Sequence, residues 1–363
     1  MRAVARVDLG AIRHNAGVLA AAAGDARLMA VVKADGYGHG AVDSARAALE
    51  GGATDLAVAA AAEAEELRAA GVDAPIQVMG PLRGDEVART GAAGASLTAW
   101  TPEMAERAAA AGVPVHLKLD TGMGRLGARP DAVEALAGAA ERSGAEVIGL
   151  MTHFATADER EGEGARFFRE QLVRFRSAAA GLRARFPRAD LHAANSAATL
   201  HESQASFDMV RCGIALYGCS PFGTDPGEHG LRPAMALESY LASIKTLRSR
   251  DSVGYGRTFR AARGTRIGLV PVGYADGYAR TLSNVAVALV GGRRVPTAGT
   301  VSMDQITLDL GPEGGESVGD PVVLVGSQGE ERILAEEMAA WRDTINYEVT
   351  CGVGARVPRR HEG

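Results

Sequence analysis

The chain has 363 residues, 47% hydrophobic and 23% charged, with a formal net charge of -5 at pH 7. That balance offers no basic field for a polyanion, so nucleic acid is not an expected partner, and no apolar run approaches the roughly 18 residues a bilayer span requires. The length exceeds a typical single core and predicts one large domain with a smaller one.

Taken in chain order, the start "MRAVARVDLGAIRHNAGVL" lacks the apolar middle and small-residue cleavage site of a signal peptide. Short apolar runs follow at 28–33, 55–59, 76–79, 94–97, 115–119, 147–152, 191–195 and 207–212. They alternate with alanine-rich helical stretches such as "TPEMAERAAAAG", whose Thr101-Pro102 marks a helix start. Eight strands with intervening helices predict an α/β fold, an N-terminal (β/α)8 TIM-type barrel over 9–232, with a doubly wound open sheet as the competing architecture. After Arg232-Pro233 the runs "ALESYLASIKTLR", "RIGLVPVGYADG", "VAVALVGGRRVP" and "DPVVLVG" are β-like and separated by Gly and Pro. They predict a mostly-β C-terminal domain over 233–363, with residues 1–8 pairing with it. Cys212, Cys219 and Cys351 are odd in number and lack metal-type pairing, which predicts reduced thiols in a cytoplasmic protein without a metal site.

In such a barrel the carboxyl ends of the strands line the active site. The first strongly polar residues fall there on five strands: Lys33 after "AVV", Arg125 after "HLKLDTGMG", His153 after "VIGLMT", Asn195 and Ser196 after "LHAA", and Arg211 after "DMV". Singly, a strand-end lysine is a solvated residue, a histidine a hydrogen-bonded core residue, an arginine a salt-bridge partner; the coincidence argues otherwise. Lys33 opens the glycine-rich "KADGYGHG" and fits a nucleophilic amine seated against apolar walls that disfavour its charged form. The phosphate-binding spacings of dinucleotide sites and P-loops are absent. A phosphate could instead be held by Ser196 and the backbone N–H groups of Gly213 and Ile214, with the phenols of Tyr37 and Tyr347 as further donors. A lysine beside an anion site on a barrel points to pyridoxal phosphate.

The stretches "AVVKADGYGHGA", "HLKLDTGMGRLG", "GLMTHFATAD", "ANSAA", "MVRCGIALYG", "VGYGRTF", "PVGYADGY", "GTVSMDQ" and "TINYEV" together resemble the bacterial alanine racemases, in the family's order and over essentially the whole chain. The resemblance implies a pyridoxal-phosphate barrel, a C-terminal β domain and a homodimer with shared active sites, supplying D-alanine for peptidoglycan. It makes Lys33 the cofactor-bearing lysine and Tyr255 the tyrosine donated by the partner. Arg211 faces the cofactor's ring nitrogen, and His153 links it to that tyrosine. Arg125 lies near the cofactor's phenolic oxygen and the substrate carboxylate, and Lys118 is a lysine carbamylated in some members. Met303 gives a backbone contact to the carboxylate, with Asp304 beside it among the substrate-binding positions. Tyr274 and Tyr347 narrow the entrance, Tyr347 also reaching the phosphate, and Asn195 belongs to the cofactor-binding set.

The family often has Cys-Met-Asp where this chain reads Ser302-Met303-Asp304, which could alter the entrance but not the chemistry. The implied reaction interconverts L- and D-alanine by two bases, Lys33 taking the proton from D-alanine and Tyr255 of the partner subunit from L-alanine. Alternatives are a racemase of broader or different specificity such as serine, a non-catalytic pyridoxal-phosphate protein, or a decarboxylase of basic amino acids. The β domain and Tyr255 argue against the second, and Arg211 against the third.

Overall fold

The computed structural model describes residues 2–363, in two compact units. One comprises Ile12–Leu216 with His229–Leu231; the other comprises the N-terminal residues through Ala11, Tyr217–Glu228 and Arg232–Gly363.

The first strand of the chain, β1 (Val4–Asp8), belongs to the second unit. The barrel unit is a closed ring of eight parallel strands: β2 (Arg27–Val31), β3 (Asp55–Val58), β4 (Ile76–Val78), β5 (Ser96–Ala99), β6 (Val115–Lys118), β7 (Val147–Met151), β8 (Asp190–His192) and β9 (Met209–Cys212). Pairing of β2 with both β3 and β9 closes it. All eight predicted strands are present, with shifted ends. The run at 94–97 becomes Ser96–Ala99 because Gly94, at φ +59, returns its N–H to the carbonyl of Gly91 and closes the preceding helix. The run at 28–33 stops at Val31, and the lysine and glycines after it form an ordered turn described below.

Strands in the ring are covered on the outside by helices and filled on the inside by side chains, so β3, β5 and β6 are buried at every residue. At the amino ends of the strands Arg27 joins Asp55, at 3.0 Å, and also Asp190. These charges tie three strand starts together at the face that contributes stability rather than chemistry. Outside the ring, the long helix Gly162–Arg185 packs Phe175, fully buried, edge-on against Phe207 with ring centroids 5.2 Å apart.

The second unit is sheet-rich. Its seven-stranded sheet runs Arg293–Pro296, Val287–Val290, Pro321–Gln328, Met235–Tyr240, β1 and Arg359–Glu362, with Glu331–Ile333 paired to the third of these. β1 runs antiparallel to Met235–Tyr240 and parallel to the C-terminal strand. A three-stranded sheet (Ser243–Leu247, Thr265–Val270, Ile306–Gly311) and a short ribbon (Ser252–Val253, Phe259–Arg260) complete it. Among the described residues no helix is long and apolar enough to cross a membrane.

Phe175→Ala should lower the unfolding free energy of the chain by about 3–5 kcal/mol, the usual range for emptying a buried aromatic site. Urea titration checks this, and a loss below about 1 kcal/mol would mean that the site collapses around the smaller residue.

Candidate active site

The interior of the ring is polar where an ordinary core would be aliphatic. Gln77, Ser96, Thr98, His116, Lys118, His192 and Arg211 are all buried. Alternation explains the sharing of one face: Ser96 and Thr98 on β5, like His116 and Lys118 on β6, are two residues apart and point the same way.

Arg211 on β9 organises this interior. Its Nη1 donates to the His192 carbonyl at 2.8 Å and faces His192 Nδ1 at 3.2 Å; its Nη2 donates to the carbonyls of Thr152 (2.7 Å) and Ala193 (3.1 Å) and faces His153 Nδ1 at 3.3 Å. A guanidinium only donates, so both Nδ1 atoms must accept and both imidazoles carry their proton on Nε2. From His192 the direction continues without choice. Its Nε2–H donates to His116 Nδ1 (3.0 Å), His116 Nε2–H donates to Ser96 Oγ (3.2 Å), and Ser96 donates to the Ile76 carbonyl (3.2 Å). The chain tolerates no extra proton. Accordingly burial, and then the charge of Arg211, hold all three histidines below the ordinary value, His116 at about 3. Gly149 is what makes room: a Cβ there would overlap the His116 ring.

Lys118 shares this interior, and its amine is pushed down to about 8, first by burial and then by Arg211, Arg125 and Lys33. Arg125 is exposed on the loop after β6. That loop is pinned at its base by Asp120 N–H to the Ala128 carbonyl and Ala128 N–H to the Lys118 carbonyl, 2.8 Å each. Asp120 Oδ1 shapes its middle by accepting from the N–H groups of Gly122 and Gly124.

Lys33 opens a left-handed helical turn, Lys33–Tyr37, rather than a loose glycine loop. Ala34, Asp35, Gly36 and Tyr37 have φ of 53°, 52°, 60° and 53°, and Gly36 and Gly38 donate to the carbonyls four residues back. Glu63 braces it: one carboxylate oxygen accepts from Ala34 N–H at 2.7 Å while the other accepts from Ala59 and Ala60 at the head of its own helix. The Asp35 side chain accepts from Ala41 N–H. Lys33 Nζ lies 5.9 Å from the centroid of the Tyr37 ring, and the Tyr37 hydroxyl stands over Gly213, where any Cβ would strike it. Ser196 Oγ accepts from Gly213 N–H at 3.0 Å and from Ala215 N–H at 3.4 Å. Asn195 accepts from Ala198 N–H and so caps the helix Ser196–His201. Ile214 begins the short helical turn that follows Gly213.

Of the predicted site residues, Lys33, Tyr37, Lys118, Arg125, His153, Asn195, Ser196, Arg211, Gly213 and Ile214 fall in the barrel unit. Tyr255, Tyr274, Met303, Asp304 and Tyr347 fall in the sheet unit. There, Tyr274 N–H donates to the Ser302 carbonyl and Ala275 N–H to the Met303 carbonyl, an approach that only a glycine at 273 permits. The Thr300 hydroxyl donates to the Tyr255 carbonyl at 2.9 Å, bringing that turn alongside. The side chains of Tyr255, Met303 and Tyr274 are 73%, 53% and 43% exposed, a cluster of large apolar groups left in solvent. The Asp304 carboxylate is engaged by Arg356 at 2.7 Å and Arg2 at 3.5 Å, and Arg356 holds it below the usual range. Tyr347 lies on the helix Asn346–Cys351. Sequence reasoning missed His116, His192, Ser96, Thr121, Thr152 and Gln171. For His116 the signal was its period-two alignment with Lys118.

The neutral histidines set a pH dependence. Below pH 6.5 an unfolded His116 binds a proton that the folded one refuses down to about pH 3, so stability is lost as pH falls, by about 1.4 kcal/mol per unit. His116→Gln should reduce the slope of unfolding free energy between pH 6 and pH 5 by about one proton relative to the parent. Denaturant melts at both pH values read it, and an unchanged slope would contradict a neutral His116.

The family models for the N-terminal and C-terminal domains of alanine racemase match residues 7–221 and 234–361. An alanine racemase of Frankia casuarinae is 45% identical over 99% of this chain and 96% of its own length. One of Symbiobacterium thermophilum is 42% identical over 99% and 97%. Among solved structures, alanine racemase from D-cycloserine producing Streptomyces lavendulae superposes with a TM-score of 0.94 at 39% identity, covering 100% of this chain and 97% of that one. Biosynthetic alanine racemase from Pseudomonas aeruginosa gives a TM-score of 0.90 at 40% identity, with both chains fully covered. With sequence and fold agreeing over the full length, this chain belongs to the alanine racemase family and is an isomerase acting on an amino acid.

Proposed function

We propose that the chain interconverts L- and D-alanine with pyridoxal phosphate and two bases, Lys33 and Tyr255 of the partner subunit, in a homodimer with shared sites. The carrying observation is the convergence on one rim of an amine, an anion cradle and a donor-only cation. Lys33 stands by Tyr37, whose hydroxyl lies over Gly213, the Gly213 N–H donates to Ser196 Oγ, and the Arg211 guanidinium has two imidazole nitrogens and three carbonyls around it but no carboxylate among the described residues. The residues fit the cofactor. Lys33 would hold its aldehyde carbon, Arg211 would face its ring nitrogen, and Tyr37, Ser196, Gly213, Ile214 and Tyr347 would hold its phosphate, with Asn195 fixing the segment that carries Ser196. When bound, it spreads the electron pair left at the substrate α-carbon after proton loss.

Everything else falls to the protein. A racemase must remove the proton on one face and return one on the other, so a single base does not suffice. Lys33 would work on one face, as the base for D-alanine and the acid that makes it. The phenol of Tyr255 works on the other. A phenol near pKa 10 needs help to act as a base at neutral pH. His153 can give it, because Arg211 occupies Nδ1 and leaves Nε2–H as a donor to the phenolate. Arg125 would take the substrate carboxylate, with Met303 N–H as a second contact and Asp304 adjoining it. Tyr274 and Tyr347 would restrict the substrate to a small side chain. Lys118, with an amine at about 8, carries enough of the neutral form to react with carbon dioxide and would then place an anion beside Arg125. D-alanine made this way in the cytoplasm would serve peptidoglycan assembly.

The exposure of Tyr255 on its own protomer supports the shared site, and mixing two dead variants tests it. Lys33→Ala and Tyr255→Ala should each be inactive. Equilibrated one to one, half the dimers are mixed and each mixed dimer has one intact site, so about a quarter of the parent rate should return. Chiral chromatography of alanine reads this, and a mixture as dead as its components would refute sharing. Holoprotein should also lose its visible absorbance on borohydride reduction, with label fixed at Lys33. For Lys118, carbon-13 bicarbonate should yield a carbamate resonance that disappears in Lys118→Ala.

A further inference from the structure

The helix Gly162–Arg185 lies outside the ring, yet one of its side chains is completely buried and polar. Gln171 is 0% exposed. Its Oε1 accepts from Ala155 N–H at 2.8 Å, and its Nε2 donates to the His153 carbonyl at 3.2 Å and to Thr121 Oγ1 at 3.3 Å. The amide orientation is determined, because the flipped form would set an NH2 group against the Ala155 N–H.

Thr121 carries the connection onward. Thr152 Oγ1 donates to the Leu119 carbonyl at 2.9 Å, so at 2.8 Å it must accept from Thr121, whose own oxygen then accepts from Gln171. The result is a one-way chain, Gln171 to Thr121 to Thr152 to Leu119. It lies under three positions of the site at once. Thr121 is in the loop that bears Arg125, the His153 carbonyl is held directly, and the Thr152 carbonyl is an acceptor for Arg211. Two further residues of the same helix face grip that loop. A Cβ at Gly122 would come 2.6 Å from the Phe167 ring, and Arg174 Nη1 donates to the Thr121 carbonyl at 3.0 Å. Positions 167, 171 and 174 are spaced i, i+4, i+7, one stripe of the helix.

We propose that Gln171 is a positioning residue for racemisation, fixing with one side-chain amide both the Arg125 loop and the strand end that bears His153. This rests on the roles given above to Arg125 and His153. Ionised glutamate would only accept, lysine would only donate, and methionine is at best a weak acceptor, so none of them makes all three bonds. Misplacing catalytic groups by about 1 Å can cost on the order of 100-fold in rate.

The test uses the holoenzyme. Gln171→Met should lower kcat about 10- to 100-fold while cofactor absorbance stays at the parent's level and the KM for alanine moves much less. Thr121→Val should do the same, Thr121→Ser should restore the rate, and the double variant Thr121→Val with Gln171→Met should be no worse than the poorer single one. Amides 120–126 should exchange with deuterium faster in Gln171→Met, with cofactor or without. A kcat within about twofold of the parent, losses that multiply in the double variant, or unchanged exchange in that loop would each overturn the proposal. If Gln171→Met does not fold, the two Thr121 variants decide it. A parent protein that fails to racemise alanine would instead refute the activity, and the exchange measurement would still judge the clamp.

Discussion

A positive charge buried inside the barrel, with no carboxylate among the described residues to neutralise it, is the constraint from which the rest of the site follows. Burying a guanidinium costs several kcal/mol unless its hydrogen bonds are replaced. Here burial brings Arg211 down only to about 10, so it remains charged at neutral pH. The replacement comes from dipoles: three main-chain carbonyls and two imidazole nitrogens. A carboxylate partner would have satisfied it more strongly, and would also have cancelled its field. Satisfied by neutral groups, Arg211 keeps its charge available to whatever acceptor lies before it.

That choice propagates through the interior. Because arginine cannot accept, each histidine it touches is forced into one tautomer, and each must stay neutral. A protonated His192 would set its Nδ1–H against the Arg211 Nη1–H, donor against donor. Lys118, Arg125 and Lys33 add to the same positive field, which is why their influence recurs in the depressed values of Lys118 and His153. A barrel interior with this charge favours anions, and the proposed substrate and cofactor both bring carboxylate or phosphate.

The barrel was legible because strand and helix periods alternate eight times, and Lys33, His153 and Arg211 stood out as candidates because each interrupts an apolar run at or just past a strand end; Arg125 lies seven residues beyond the end of β6, on the loop. What supports them was not. His192 touches Arg211 across 19 residues and His116 across 76, and Gln171 meets Thr121 across 50; such pairs exist only once the ring has closed. Gln171 also looks ordinary within "REQLVRF", since a polar residue on a surface helix is normally solvated. Its burial arises because the chain after β7 folds back under the helix and needs both a donor and an acceptor there.

The conformation of the turn at Lys33 was hidden in the sequence for a related reason. Glycine richness announces permissive backbone, yet three of the four left-handed residues are Ala34, Asp35 and Tyr37, each costing about 1–2 kcal/mol in that conformation. Local propensity therefore opposes the observed turn. It persists because tertiary contacts over-determine it, with Glu63 accepting from Ala34 and Asp35 accepting from Ala41. Strain held this way is characteristic of sites where a side chain must be presented at a fixed angle. In a right-handed helix Lys33 would be followed by residues turning the other way, and the Tyr37 hydroxyl could not reach Gly213. The left-handed turn places both the amine and the phenol on the rim in five residues.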